Sequence, residues 1–320
     1  MNMLQSFAVA LFLAVPTGIS ATAVAQSPQI SVDREACTNP KDAATPERAI
    51  AACTRLVEAL ARGEISSPEG AAVHVARGNL YAVQGDVDRA IVDYDRAIML
   101  DPNRAVAFFN RAAALAASGN LDRALADYDR AIELDPMDAD AYMDRGRAHY
   151  QKKDYAAAVA DYDAAFRLLP GAVEVLAERG DALERAGLYD RAVENYSRLI
   201  VIEPGNAKAW NNRCWDRAVL GLLEDALADC NEALRLAPED PGALDSRGFT
   251  NLKLGRFEQA IVDYDAVLAR NPREPGSLYG RGLARLRGRS DSDGGRADLA
   301  AAKALDPGVA EEFARYGLRE

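Results

Sequence analysis

The stretch "RAIVDYDRAIMLDP", residues 89–102, returns as "RALADYDRAIELDP" at 123–136 and, more worn, as "RAVENYSRLIVIEP" at 191–204. Its closing proline recurs at Pro102, Pro136, Pro170, Pro204, Pro238 and Pro272, each 34 residues after the last. Arg77, Arg111, Arg145, Arg179, Arg213, Arg247 and Arg281 keep the same interval. A small residue follows each of them: Gly78, Ala112, Gly146, Gly180, Cys214, Gly248 and Gly282. So many positions in one register signal a solenoid, in which each unit buries its apolar faces only by stacking on the next.

Each unit reads as two helices. Ala90, Ile91, Tyr94, Ala97 and Ile98 form one apolar stripe at helical period, and Asp101-Pro102 ends it because proline disfavours helical geometry in the residue before it. Gly85-Asp86 separates this helix from an earlier one at about 71–83. Gly78, Ala90 and Ala97 leave hollows that Tyr94 fills, so the two helices approach closely.

The positions of Gly78, Ala90, Tyr94, Ala97 and Pro102 resemble the tetratricopeptide repeat. That family has a small residue eighth, alanine twentieth, an aromatic twenty-fourth, alanine twenty-seventh and proline thirty-second. The resemblance covers residues 71–309 as seven units: 71–104, 105–138, 139–172, 173–206, 207–240, 241–274 and 275–309. It implies an all-α fold, a right-handed superhelical solenoid of antiparallel helix pairs. The chain departs from the pattern in having arginine seventh and a last unit one residue longer, whose second helix matches at "DLAAAKALDP", 298–307.

The flanks carry their own signals. Residues 1–25 place an apolar run, Phe7 to Val15, before Pro16 and Gly18 and the small triplet Ala23-Val24-Ala25, the order of a cleaved secretory signal peptide. The run is shorter than the roughly 20 residues that span a bilayer, so no stable membrane insertion is expected after cleavage. Residues 26–44 read as an irregular lead-in, and 45–70 as a half-repeat cap and linker, because "RAIAACTRLVEA" at 48–59 copies a second helix without a first. Val309, Phe313 and Tyr316 give 310–320 the pattern of a helix capping the far end of the stack.

A formal charge of −11 argues against nucleic acid or an anionic lipid surface as partner, since both need cationic footprints. Cys37 and Cys53 lie 16 residues apart, as do Cys214 and Cys230, and there is no Cys-x-x-Cys. With two histidines in the chain this supports no zinc site, and in an oxidising compartment the four cysteines read as two disulfides. In the repeat register Cys214 and Cys230 take the eighth and twenty-fourth places, where other units pack Gly78 on Tyr94. Cys37 would tie the lead-in to Cys53.

The paired aspartates of D-Y-D, such as Asp93 with Asp95 and Asp127 with Asp129, invite an acid–base reading. Residues two apart on a helix do not share a face, so such a pair cannot flank one atom. A ladder joining Arg77 to Asp93 and Arg111 to Asp127 accounts for them better. "GRSDSDGG", 288–295, lacks the bidentate glutamate of a calcium loop and reads as a polar hairpin loop. No nucleophile–base pair, phosphate loop or metal spacing is present, so neither catalysis nor a cofactor is expected.

In tetratricopeptide proteins the first helices line a concave groove. The matching positions here include Asn79, Phe109, Asn110, Asp144, Arg147, Asn212, Trp215, Phe249 and Tyr279. The resemblance implies that this groove binds a peptide segment of another protein, with asparagines on its backbone and aromatics as anchors. The chain therefore reads as a periplasmic or secreted adaptor; the alternative is a structural component of the cell envelope that assembles with copies of itself.

Overall fold

The computed structural model describes residues 28–39 and 45–320, and among them the only regular structure is helical. The expected signal peptide lies outside the described residues. The chain divides into two compact units, one up to Leu168 and one from Leu169 to Glu320.

The N-terminal unit pairs α1 (Pro28–Thr38) with α2 (Pro46–Ala61), α3 (Ser67–Val83) with α4 (Val87–Leu100), α5 (Ala105–Ala117) with α6 (Leu121–Leu134), and α7 (Ala139–Gln151) with α8 (Tyr155–Leu168). The C-terminal unit pairs α9 (Val173–Arg185) with α10 (Tyr189–Ile202), α11 (Ala207–Leu220) with α12 (Leu223–Leu236), α13 (Pro241–Lys253) with α14 (Phe257–Arg270), and α15 (Pro275–Gly288) with α16 (Ser292–Leu305). A short α17 (Val309–Arg315) follows.

Local chemistry sets the helix ends. Asp86 caps α4 by accepting the Arg89 N–H at 3.1 Å, and Asp240 caps α13 by accepting that of Ala243 at 2.8 Å. The turn inside a pair needs one left-handed residue; Gly85 supplies it with φ +79°, and Lys153 adopts it at φ +62° despite its side chain. In the core, a Cβ added to Gly78 would lie 2.6 Å from the Tyr94 ring, and one on Gly180 would lie 2.6 Å from that of Tyr196. The small residue is therefore what admits the tyrosine.

Two expectations are corrected. Residues 28–38 are not irregular: they form α1, which supplies the half-repeat with a first helix. Ile30 is buried, Asp33 accepts from Arg55 at 3.0 Å (Nε) and 2.5 Å (Nη2), and Cys37 is bonded to Cys53. These contacts hold a segment that lies outside the 34-residue register and so left no periodic trace. Likewise most of "GRSDSDGG" is helical: Gly288 ends α15, and Asp291 accepts the Gly294 N–H at 2.9 Å and starts α16 at Ser292. Gly295 serves packing, since a Cβ on it would meet the Gly282 carbonyl oxygen at 3.0 Å and Leu286 at 2.9 Å.

The arginine column is a clasp. Arg111 forks onto Asp127 of its own pair at 2.7 Å twice, and its third nitrogen reaches Asp95 of the preceding pair at 2.7 Å. Arg145 does the same with Asp161 at 2.6 Å and Asp129 at 2.7 Å. In the C-terminal unit Arg281 joins Asp298 and Asp265, each at 2.7 Å. Thus the first aspartate of D-Y-D closes its own hairpin and the second ties it to the next. Bidentate guanidinium–carboxylate geometry makes these among the stronger polar contacts available. In a double-mutant cycle, Arg111→Ala and Asp127→Asn are expected to fall short of additivity by about 1–2 kcal/mol in urea unfolding. Additive losses would show that the two side chains contribute independently.

Candidate functional site

The second helices carry the aspartates of the clasp and the packing tyrosines, and the first helices carry the arginines and the positions expected to meet a partner. In the N-terminal unit these are α3, α5 and α7. Asn79 Oδ1 accepts from the Tyr94 hydroxyl and from Asn110 Nδ2, both at 2.8 Å. Asn110 is only 4% exposed. The Asn79 carbonyl oxygen and the Asn110 amide nitrogen are therefore engaged with each other and with a tyrosine of the core. The tyrosine hydroxyl reaches this face from the twenty-fourth position and shares the Asn79 oxygen with Asn110. Phe109 stays half-buried, its ring 5.9 Å from that of Tyr128, and Val83 is exposed. Arg147 bonds Asp144 at 2.6 Å, one helical turn away, and both are half-buried. Phe109 is the aromatic that this face presents among the expected anchors.

The C-terminal unit repeats the network with a charge in it. Asp181 Oδ1 accepts from the Tyr196 hydroxyl at 3.0 Å and from Asn212 Nδ2 at 3.2 Å, and Lys208 Nζ reaches its other oxygen at 3.0 Å. One turn beyond Asn212 on α11 stands Asp216, and one turn beyond Asp181 on α9 stands Glu184. Asp216 is 0% exposed and neither carboxyl oxygen has a hydrogen-bond partner. Burial, with Glu184 and Asp181 adding to it, pushes the Asp216 carboxyl up to about 9. Burial also lifts Glu184 to about 7.

The three aromatics expected on this face do not lie open. Phe249 is 2% and Tyr279 1% exposed. What covers them is α17: the Phe313 ring lies 4.8 Å from Tyr279 and 6.0 Å from Phe249, and the Tyr316 ring lies 5.4 Å from Trp215 and 5.9 Å from Phe249. The Tyr279 hydroxyl donates to Glu320 at 3.1 Å, and Lys303 pairs with the same carboxylate. Residues 309–320 therefore do more than cap the last pair, since they reach back across α13 to α11. The periodicity of Val309, Phe313 and Tyr316 marked an apolar stripe, but nothing in it told which surface the stripe would meet. Beside the segment a cavity of about 240 Å³ remains, lined by Trp215, Phe249, Val309 and Phe313 and walled by Asp245, Glu274, Asp306 and Glu312.

Both cysteine pairs are disulfide-bonded, Cys37–Cys53 and Cys214–Cys230, with Cα atoms 4.9 and 5.3 Å apart. Among the described residues no group of three or more His, Cys, Asp or Glu side chains is placed to hold a metal ion, and no helix is long and apolar enough to cross a membrane.

The sequence matches the tetratricopeptide-repeat family model over residues 109–173, 177–241 and 250–310, and a second model, described as TPR repeat, over 78–119. No curated protein matches it. Among solved structures it is similar to YrrB, described as a TPR protein with an unusual peptide-binding site, at 24% identity and a TM-score of 0.53 over 59% of this chain and 97% of that one. A tetratricopeptide repeat protein from Parabacteroides merdae matches at 19% identity and a TM-score of 0.52, over 80% of this chain and 98% of the other. The C-terminal part of a TPR repeat-containing protein from Cytophaga hutchinsonii matches at 17% identity and a TM-score of 0.59, over 78% of this chain and 98% of the other. At these identities the likeness concerns the fold alone.

Proposed function

Because this chain belongs to the tetratricopeptide-repeat family, whose members are generally protein-interaction scaffolds, we propose that it is a non-catalytic adaptor that holds a segment of another protein against its first helices. One observation carries this reading: in the C-terminal unit that face already holds a helix, α17, through ring contacts with Trp215, Phe249 and Tyr279. The same face of the N-terminal unit presents the half-buried Phe109 and the exposed Val83. The D-Y-D carboxylates, which a hydrolytic enzyme would need free, are committed to arginines. The acidic balance of the chain favours a protein partner over nucleic acid. Two disulfides support residence in an oxidising compartment, the periplasm or the exterior of a cell.

The test is a photoreactive benzoylphenylalanine placed at Phe109, compared with one at Val92, an exposed position on the second helix α4. Adducts to the same few proteins at 109 and none at 92 are expected in cells that make the protein. Equal labelling at both sites would refute the face assignment, and adducts only to copies of the same chain would favour the self-assembling envelope component.

A further inference from the structure

We infer that residues 309–320 are a displaceable stand-in for the partner on the C-terminal unit, and that the partner presents an amphipathic helix with two aromatics three residues apart and a basic residue where the stand-in has Glu312. The inference rests on the reading of first-helix faces as partner surfaces and specifies what one of them takes.

Three observations support it. First, α17 has seven residues, too few to be helical by itself, so its form depends on the surface it lies on. It is held by Val309, Phe313 and Leu318, all buried, and by Tyr316 between Trp215 and Phe249. The link to α16 is only Asp306-Pro307-Gly308, a turn outside both helices. Second, the fit is incomplete. The cavity of about 240 Å³ lies against Val309 and Phe313, so a bulkier apolar side chain in the place of Val309 has room that the valine leaves unused. Third, the charge is wrong. Glu312 shares the cavity wall with Asp245, Glu274 and Asp306, and burial with the negative charges of Glu274 and Glu312 pushes the Asp245 carboxyl up to about 6. The three carboxylates outside the segment, Asp245, Glu274 and Asp306, beside an aromatic floor suit a lysine or arginine, and the segment in place supplies the acid Glu312 instead. It is thus a ligand that a better-matched helix can replace.

The probe is a fluorescein-labelled dodecapeptide with the sequence of residues 309–320, used beside the same peptide carrying lysine in the place of Glu312. Each is titrated by fluorescence anisotropy into three full-length proteins: the wild type, Phe313→Ala/Tyr316→Ala, which releases the segment, and Glu312→Lys, which improves it. The released variant is expected to bind both peptides, the lysine peptide at least ten-fold more tightly. The wild type binds each at least ten-fold more weakly, and the Glu312→Lys protein binds weakest of the three. A folded released variant that binds neither peptide, or binds both equally, overturns the proposal. Should that variant fail to fold, hydrogen exchange on the wild type with excess lysine peptide decides instead. Faster exchange of 309–318 with α11 and α13 still protected supports displacement, and unchanged exchange refutes it. A released variant that dimerises by exchanging segments identifies the occupant as a second copy, and also overturns the proposal. Failure of any of these with crosslinking at Phe109 intact would remove the stand-in while leaving the adaptor function, whereas loss of crosslinking with peptide binding intact would do the reverse.

Discussion

Asp216→Ala is expected to stabilise the protein at pH 8 by roughly 3 kcal/mol or more, read as a rise of several degrees in melting temperature. The corresponding residue is Leu80, Ala114, Ala148, Ala182, Thr250 or Ala284 in the other repeats, so a carboxyl here is the exception. It is fully buried with both oxygens unpartnered, and burial together with Glu184 and Asp181 raises it to about 9. The unfolded chain releases this proton near 3.8, the ordinary value, while the folded chain keeps it to about 9. Between those values folding takes up a proton, so this group's contribution declines as pH rises, and above about 9 a buried carboxylate must be tolerated. The gain from alanine should therefore shrink as the pH is lowered from 8 toward 5. Charged or titratable groups acting on it from the surrounding helices are Glu184 and Asp181 on α9 and Tyr196 on α10. A melting temperature at pH 8 unchanged or lowered by the substitution would show that the carboxyl contributes to the fold in some other way.

Removing the second disulfide is the other large effect. Cys214→Ser with Cys230→Ser should cost about 3 kcal/mol, the chain-entropy value for so short a loop. It should cost somewhat more if serines leave unfilled the space a tyrosine occupies elsewhere, as Tyr94 does against Gly78. The repeat pattern provides a rescue. Cys214→Gly with Cys230→Tyr rebuilds the pair found at Gly180 and Tyr196, and should recover most of the loss under reducing conditions. Guanidinium unfolding of the three proteins, with and without reductant, checks this. Equal midpoints for the serine variant and the oxidised wild type would mean that the bond does not stabilise, and four free thiols in protein taken from its native compartment would mean that it does not form there.

What the sequence disclosed and what it withheld divide along one line. The hairpins, the arginine–aspartate pairs and the cysteine spacing all sit at fixed offsets within a repeat, so a register read from Pro102 and Arg77 reaches them. A first helix before Pro46 escaped because residues 28–38 carry few apolar side chains and stand outside that register. The candidate surface was harder. A repeat position says which way a side chain is expected to point. It does not say what else arrives there, and Phe313 of α17 covers Phe249 and Tyr279 from 64 and 34 residues along the chain. Nor does it say that the Tyr94 hydroxyl meets Asn79 from the other helix, where Asn110 also bonds the same oxygen. Asp216 was visible as a deviation from alanine, yet its isolation depends on α9 offering only further carboxylates.

The arginine clasp has a mechanical consequence. Arg111, Arg145 and Arg281 each grip two successive hairpins through carboxylates, so peeling one such hairpin away breaks ionic contacts on both of its sides at once. The grip is uneven along the C-terminal unit: Arg281 reaches back to the charged Asp265, whereas Arg213 and Arg247 reach back only to the neutral Ser197 and Asn231. Under a steady pull on this unit, the tear should start at the seams closed by a hydroxyl or an amide, and the last two hairpins should come away together as one block.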